Sequence, residues 1–228
     1  LLNNNAHLRA LGVKTQQEAL GKTDFDFRNV ERASIYKAQD NDVIKTTLPL
    51  VDYIQHELRD DGKEMWLLVS KLPMRNSDGI INGTVGISRD ITEQKIANNL
   101  LRESKRSFQT LANASPVGIF RTDATGYTTY VNPRWCEISG LTPEEAFGDG
   151  WLSAVHDDDK ATLDEEWHSA AESKRPSRAD YRFLKADGTI AWVMGQAVPE
   201  IDEENKVIGY VGTITDITVR KNLEIGLI

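Results

Sequence analysis

The chain has 228 residues, and its 27 Lys and Arg against 35 Asp and Glu give a net charge of −8. This acidic balance argues against nucleic-acid binding, which depends on neutralising phosphates with basic side chains. No run of about 18 apolar residues is present, so the sequence predicts no membrane-spanning helix. The single cysteine, Cys136, excludes an internal disulfide and a multi-cysteine metal site, and it favours the cytoplasm. The chain opens at Leu1 rather than Met, so we expect a fragment of a longer protein. A membrane anchor or a catalytic module could lie in the rest of that protein.

An internal repeat organises the chain. Residues 84–95 read TVGISRDITEQK and residues 210–221 read YVGTITDITVRK, a shift of 126 residues. The shift persists upstream, where Trp66 matches Trp192. A period this long indicates two homologous domains in tandem rather than a solenoid. The predicted organisation is a first domain at 1–92, a connecting helix at 93–114, a second domain at 115–218 and the start of an output helix at 219–228.

The first copy begins part-way through the pattern. Near the N-terminus the shift becomes 127, so that Asn5 matches Asn132. Residues 1–5 then correspond to the end of a second strand, and the first strand of this domain is absent from the chain. A sheet without that strand has an open edge, which proteins usually cover.

A helix is predicted at 93–113, which contains neither Gly nor Pro. At 1.5 Å per residue it would be roughly 30 Å long. Two interpretations stay open: the helix packs on its own domain, or it forms a homodimer contact through a short seam of the coiled-coil type. The seam residues, spaced by four and three, are Ala97, Leu101, Ser104, Phe108 and Leu111.

The second copy contains the complete pattern. An alternating pattern with β-branched residues predicts its first strand, near 117–122, and Thr142, Pro143 and Glu145 supply the start signals of a helix. The order β-β-α-α-α-β-β-β predicts an α+β fold, in which each domain has a five-stranded antiparallel sheet with helices on one face. The predicted elements are strands near 117–122 and 127–131, helices at 133–139, from 142 and near 158–172, and strands near 177–184, 190–199 and 207–215.

These stretches resemble PAS domains with their C-terminal PAC motifs. The matching sequences are GKTDFDF, DGKEMWLLVSKLP and VGISRDITEQK in the first copy, and YVNPRWCEISGLTPEEAFGDGW, YRFLKADGTIAWV and YVGTITDITVRK in the second. One departure is His156-Asp157-Asp158-Asp159, where the family often has His-Pro-Asp-Asp. The resemblance implies sensory modules of a two-component signal-transduction protein, either a histidine kinase or a diguanylate cyclase or phosphodiesterase. It also implies an output domain in the same chain.

The repeated phrase predicts a signal-carrying joint between the last strand and a helix. An aspartate at such a boundary can accept hydrogen bonds from free backbone N–H groups, and its charge suits the positive end of a helix. We expect Lys95 in the first copy, and Arg220 and Lys221 in the second, to lie near enough to pair back to the aspartate. The joint residues are Asp90, Thr92 and Lys95 in the first copy and Asp216, Thr218 and Lys221 in the second.

Four other side chains offer chemistry with weaker support. His56 lies in HELR, similar to a phospho-acceptor box, but the repeat places it on a strand. Cys136 precedes the region where flavin-binding relatives carry their reactive cysteine, so a small packed residue is favoured. His168 lies on the helix where haem-binding relatives carry an axial ligand, although its register does not match clearly. His156 is expected to cap a helix rather than bind a metal.

The aromatic residues of the second copy form either a core or the wall of a ligand pocket. Strand alternation does not decide which face each Trp takes, because a one-residue slip reverses it. The candidate pocket residues are Asn132, Trp135, Trp151, Tyr181, Trp192 and Met194.

Three hypotheses therefore remain for the sensor. It binds a small ligand, or it is a ligand-free dimerisation scaffold, or it carries haem or flavin and responds to redox state or oxygen. No phosphate-binding loop, His-Glu-x-x-His or Gly-x-Ser-x-Gly motif is present, so no enzyme, metal or cofactor is assigned within the chain.

Overall fold

The computed structural model describes residues 3–59 and 62–226 and divides the chain into two compact units, Leu1–Arg102 and Glu103–Ile228. The boundary falls within helix α4 (Thr92–Ala114). The helix predicted at 93–113 is confirmed and extends one residue further at each end. The first two residues of the predicted strand end at 1–5 and the last two of the predicted output helix lie outside the described residues.

The first unit has an antiparallel sheet with the strand order β1-β2-β3. Before α4 it contains α1 (Asn5–Ala10), α2 (Gln16–Ala19), a 3-10 turn (Asp24–Asp26), α3 (Val30–Thr46), β1 (Leu50–Leu58), β2 (Glu64–Arg75) and β3 (Ile81–Asp90).

The start of the first unit differs from the sequence-based expectation. Within residues 3–59 no strand precedes α1, so the described part of this unit holds three strands of the five-stranded pattern. Asn4 caps α1 by accepting a hydrogen bond from the His7 N–H at 2.8 Å, as Asn132 accepts one from the Trp135 N–H at 2.9 Å. Asn4 rather than Asn5 therefore matches Asn132. In a run of three asparagines, the capping geometry identifies the match and residue identity does not.

The second unit has the complete sheet, antiparallel in the order β5-β4-β8-β7-β6. The predicted helix starts are confirmed: Asn132 caps α5 ahead of Pro133, and Thr142 and Glu145 form a capping box. Its elements are β4 (Gly118–Asp123), β5 (Thr128–Val131), α5 (Pro133–Ser139), α6 (Pro143–Ala146), a 3-10 turn (Gly150–Ala154), α7 (Asp157–Glu172), β6 (Ser177–Leu184), β7 (Ile190–Ile201), β8 (Val207–Asp216) and α8 (Thr218–Glu224).

The main hydrophobic core lies in the second unit, between one face of the sheet and α5 and α7. Phe183, Tyr210 and Ile214 are fully buried on that face, and Trp135 and Trp167 pack against them from the helices. The Trp167 ring meets Tyr210 edge-on, with 5.4 Å between ring centroids. Aromatic pairs in this geometry add to the free energy gained by burying their area. The helices thus cover one face of the sheet, as predicted.

Within residues 3–59 and 62–226, no helix is both long enough and apolar enough to cross a membrane.

Candidate functional site

In the second unit, the start of α8 is hydrogen-bonded to the backbone of β7. The Trp192 N–H donates to the Thr218 hydroxyl at 3.0 Å, and the Ile217 N–H donates to the Trp192 carbonyl at 2.8 Å. Asp216 Oδ1 accepts from both the N–H and the hydroxyl of Thr218, at 2.9 and 2.6 Å. Since Asp216 ends β8 and Thr218 begins α8, these bonds fix the beginning of the helix on the sheet. We call this arrangement of Trp, Asp, Ile and Thr the strand-to-helix joint.

The first unit contains the same joint at the start of α4. The Trp66 N–H donates to the Thr92 hydroxyl at 2.9 Å, and the Ile91 N–H donates to the Trp66 carbonyl at 2.8 Å. Asp90 Oδ1 accepts from the N–H and hydroxyl of Thr92 at 2.9 and 2.5 Å. The repeated phrase therefore encodes the same local structure twice. Neither Trp was among the predicted joint residues, although the shift that relates Trp66 to Trp192 was a signal for this role. Trp192 was assigned to the pocket instead.

The lysines of the two joints lie over the joint tryptophan and do not pair with the joint aspartate. Lys95 Nζ lies 5.6 Å from the centre of the Trp66 ring, and Lys221 Nζ lies 5.4 Å from that of Trp192. The expectation that each lysine pairs back to the joint aspartate is wrong. A lysine four residues beyond the Ile reaches over the Trp ring, where a cation is attracted to the π face.

The partner of Asp90 is Arg59, whose Nη2 lies 2.7 Å from Asp90 Oδ2. Desolvation alone would raise the pKa of Asp90. The hydrogen bonds from Thr92 and the charge of Arg59 outweigh it and hold the pKa of this carboxyl below its usual value. Asp90 is therefore ionised at neutral pH, and it can hold the helix start as a charged acceptor.

A cavity of about 50 Å³ lies inside the second unit, and it opens partly to solvent. Its polar lining residues are Thr122, Thr128, Ser177 and Gln196. The large side chains of its wall are Phe120, Trp135, Trp151, Leu163, Trp167 and Tyr181, and the small residues Ala179, Gly195 and Ala197 complete it. A small, mainly apolar molecule is the kind of ligand that such a wall accommodates.

The Tyr181 side chain brings an unused polar group to this cavity. The residue is 7% exposed, and its hydroxyl makes no hydrogen bond with any described residue. Burial raises the pKa of Tyr181 well above its usual value, so the hydroxyl stays protonated as a potential donor.

The structure brings half of the predicted pocket residues to the cavity. Trp135, Trp151 and Tyr181 line it. Trp192 and Met194 lie on the opposite face of the sheet, because Ala191, Val193, Gly195 and Ala197 take the buried positions of β7. Asn132 is also away from the cavity wall. Phe120, Leu163 and Trp167 belong to the wall and were missed, although Leu163 and Trp167 are four residues apart on one helix face.

Asn132 is a connecting residue at the entrance of the second unit. Its side chain is fully buried and accepts hydrogen bonds from the Ile119 and Trp135 N–H groups, at 2.7 and 2.9 Å. Its amide nitrogen donates to the carbonyls of Ala112 and Val117, at 2.8 and 3.1 Å. One side chain therefore ties the end of α4 to β4 and α5.

Comparison with protein-family models matches the chain twice, both times to the PAS fold, at residues 2–96 and 128–214. The two matches together cover most of the chain. The chain is a tandem pair of PAS domains. We therefore refer to the two compact units as the first and second PAS domains.

Curated relatives share this region. The chain is 34% identical over 164 residues to the uncharacterized protein y4lL of Sinorhizobium fredii, which covers 72% of the chain and 20% of the relative. It is 28% identical over 187 residues to the peroxide stress-activated histidine kinase mak1 of Schizosaccharomyces pombe, covering 74% of the chain and 11% of the relative. The chain thus spans a fifth or less of the length of these relatives.

A solved PAS domain from Colwellia psychrerythraea also resembles the chain. It has 25% sequence identity and a TM-score of 0.44, and the match covers 50% of this chain and 98% of that domain.

The interior of the first PAS domain is charged where that of the second is aromatic. Arg32 on α3 pairs with Glu57 on β1 at 2.5 Å, and both side chains are more than nine-tenths buried. The Tyr36 hydroxyl donates to Glu57 at 2.6 Å, and the Gln55 amide donates to the same carboxylate. The repeat shift places Gln55 and Glu57 at the positions of Tyr181 and Phe183. The same part of the fold is therefore filled by a hydrogen-bonded ion pair in one domain and by aromatic rings around a cavity in the other.

The residues considered for haem or flavin do not fit those cofactors in the second PAS domain. His168 is half-buried, and its ring nitrogens lie 3.0 Å from Asp164 and 3.6 Å from Asp149, away from the cavity wall. Cys136 is half-buried in a separate surface groove beside Tyr130. Neither side chain is positioned to bond to a group held in the aromatic cavity.

His56 and His156, the other two histidines considered from the sequence, contact structural elements. His56 lies on β1 and stacks on Trp66 with 4.3 Å between ring centroids, so it is on a strand, as predicted. His156 caps α7, where its Nδ1 accepts from the Asp158 N–H at 3.3 Å. Among the described residues, no group of three or more His, Cys, Asp and Glu is arranged to hold a metal ion.

Proposed function

We propose that this chain is a sensory input region in which the second PAS domain detects a small ligand and passes its state to α8. The repeated strand-to-helix joint supports the proposal most strongly. The same four residue types make the same hydrogen bonds at Trp66 and Trp192, and each joint starts a helix. Asp90, Thr92, Asp216 and Thr218 are the residues that hold those helices, with Lys95 and Lys221 packed over the Trp rings.

The proposed ligand is small, mainly apolar, and able to accept a hydrogen bond. The cavity wall is largely aromatic, and among the described residues no histidine or cysteine lies on it to bond to haem or a flavin. Tyr181 offers the free donor. Trp135 and Trp151 would contact the ligand, whereas Trp192 and Met194 would affect binding only through the sheet. The charged interior of the first PAS domain is already filled by its own ion pair, so the second domain is the proposed ligand site.

We infer that the chain acts as a homodimer through residues 93–113. The seam residues Leu101 and Leu111 are 70% and 71% exposed, and Phe108 is 54% exposed. Ser104 weakens the seam, which fits a contact that can be rearranged. An apolar stripe of this kind is stabilised by packing against the same stripe of a second copy.

The proposed organisation follows from these elements. Residues 1–92 and 115–218 form the two sensory domains, residues 93–114 connect them, and α8 begins the path toward an output domain. A histidine kinase is the output that we favour, since two matching relatives carry that name, and a cyclic-di-GMP enzyme is the alternative. The lone cysteine fits a cytoplasmic protein.

Mass spectrometry of the denatured protein tests the ligand proposal. We expect a small molecule that co-purifies with the wild-type chain and is lost in a Trp151→Ala variant, with the exposed Tyr53→Ala in the first domain as control. A chain that never carries a ligand, yet is dimeric, would instead favour the scaffold hypothesis. An absorption band above about 300 nm, outside the absorption of the protein itself, would come from a bound cofactor. It would contradict the small apolar ligand and support haem or flavin.

Light scattering tests the dimer proposal. We expect Leu101→Glu with Leu111→Glu to convert a dimer to a monomer, because each carboxylate would be buried in the seam. The control is Asn98→Glu with Asn99→Glu, which adds the same charge on the polar side of the same helix. A monomeric wild-type chain, or equal effects of the two variants, would contradict the seam.

A further inference from the structure

The second joint has a side contact that the first joint lacks. Asp180 on β6 forms an ion pair with Lys221 on α8, with 3.1 Å between Asp180 Oδ2 and Lys221 Nζ, and Arg220 Nη2 lies 3.6 Å from the same carboxylate oxygen. The corresponding residue in the first domain is Ile54, since Ile54 pairs with Leu68 as Asp180 pairs with Met194. The ion pairs of Asp180 therefore occur at the second joint and have no counterpart at Ile54 in the first.

Asp180 is also the neighbour of the cavity residue Tyr181. Successive side chains of a strand point to opposite faces of the sheet. Tyr181 is buried on the cavity face, and Asp180, with its side chain 36% exposed, lies on the outer face with Trp192. A displacement of the Tyr181 ring that moves the β6 backbone therefore also moves the carboxylate that holds α8.

Lys221 connects this contact to the joint. Its ammonium group lies against the Trp192 ring as well as Asp180. Its backbone N–H donates to the Ile217 carbonyl at 2.9 Å. The helix is thus held to β7 through the joint and to β6 through Asp180. Glu224, whose carboxylate lies 3.9 Å from Lys221 Nζ, is a competing partner on α8 itself when Asp180 moves away.

We propose that Asp180 is a positioning residue that transmits the state of the cavity from Tyr181 on β6 to Lys221 and Arg220 on α8. This inference rests on the proposed function, in which the cavity controls α8. It adds a second route from the cavity to the helix beside the repeated joint.

The test uses a substitution that displaces Tyr181 without a ligand. A Cβ atom at Gly195 would lie 2.9 Å from Tyr181 Cε1, so Gly195→Ala must shift the ring. Ala179→Val, which adds volume to the same cavity wall, is the second trigger in case Gly195→Ala unfolds the domain. The readout is hydrogen–deuterium exchange of the amides of residues 220–224 in the chain of 228 residues, with circular dichroism to confirm folding.

We expect either trigger to speed exchange at residues 220–224 about threefold, the scale of a partly exposed ion pair. Asp180→Asn alone should speed it by about the same factor, and adding Gly195→Ala to Asp180→Asn should then change nothing further. Asp180→Glu should preserve the response. Glu204→Gln, which removes the same charge from a turn, should leave it unchanged.

Two results would overturn the inference in distinguishable ways. Equal effects of Gly195→Ala with and without Asp180 would show that the signal bypasses this residue, and the proposed function would survive. Triggers that alter exchange around the cavity but leave residues 220–224 unaffected in every background would contradict both the inference and the proposed control of α8.

Discussion

The backbone of Trp192 is hydrogen-bonded at both its N–H and its carbonyl to the segment that begins α8, through the Thr218 hydroxyl and the Ile217 N–H. The strand and the helix are therefore joined by main-chain groups as well as by side chains. The role of Asp216 is to orient Thr218, because it accepts from both the N–H and the hydroxyl of that residue.

Removing the aspartate should loosen the helix more than the domain. Asp216→Ala leaves the Thr218 N–H and hydroxyl without their acceptor, a loss of about 1 kcal/mol, as for a helix cap. We expect a small fall in melting temperature and clearly faster amide exchange within α8. Asp90→Ala should do the same at the start of α4. A lower melting temperature with unchanged exchange in α8 would contradict a role in holding the helix.

The glycine of the repeated phrase should be essential in only one copy. A Cβ at Gly212 would lie 2.3 Å from Phe120 Cζ and 2.5 Å from the Gln196 carbonyl oxygen, whereas one at Gly86 would be no closer than 3.6 Å to Lys71 Cγ. Gly212→Ala should cost about 1–3 kcal/mol of unfolding free energy through overpacking. Gly86→Ala, the matched control, should be nearly neutral. Urea denaturation measures both, and equal costs would contradict this account.

Acid should weaken the contact between α7 and β6. Asp159 forms a two-pronged pair with Arg182, with contacts of 2.6 and 2.9 Å. The Arg182 hydrogen bond outweighs desolvation and lowers the pKa of Asp159. The stabilisation is therefore complete above the unfolded pKa of about 4 and is lost as pH falls through the lower folded value.

Asp159→Asn should remove that part of the acid dependence and cost about 1–2 kcal/mol at neutral pH. Asp157→Asn is the control in the same turn, because its carboxylate is 92% exposed and lies 3.9 Å from Lys160. Urea denaturation between pH 3 and 7 measures both variants, with the values chosen around the carboxyl range. An Asp159→Asn variant with the wild-type pH dependence would contradict the assignment.

Breaking the charged interior of the first domain should be costly. Glu57→Leu leaves Arg32 buried without its anion, which typically costs about 3–5 kcal/mol. Removing both charges with Arg32→Leu and Glu57→Leu should cost less than Glu57→Leu alone. Hydrogen exchange of the β1 and β2 amides follows this domain separately, and Glu64→Leu on the exposed part of β2 is the control. A double variant less stable than the single one would contradict the expectation.

The sequence predicted the bounds of helices and strands better than the face of the sheet on which each side chain lies. The helix at 133–139 and the strand at 177–184 have the predicted bounds, since capping residues and the alternation of Ala179, Tyr181 and Phe183 with polar residues are local signals. The cavity wall depends on the register of β7, which places Trp192 on the outer face. Periodicity does not determine that register. The contacts of Asp180 with α8 depend on a helix folding back over the sheet, which no local pattern encodes.

The incorrect match of Asn5 to Asn132 also arose because a local pattern does not determine a contact. Three consecutive asparagines are equivalent as letters, and only the position of the His7 N–H distinguishes them.

Two hydrogen bonds on one tryptophan backbone set an orientation as well as a position. A helix held by a single contact could swivel about it, whereas α8 is held at both polar groups of Trp192 and must follow any tilt of β7. The direction of the first turn of α8 is therefore tied to the twist of the sheet. A change in that twist would displace the far end of a longer helix in proportion to the helix length.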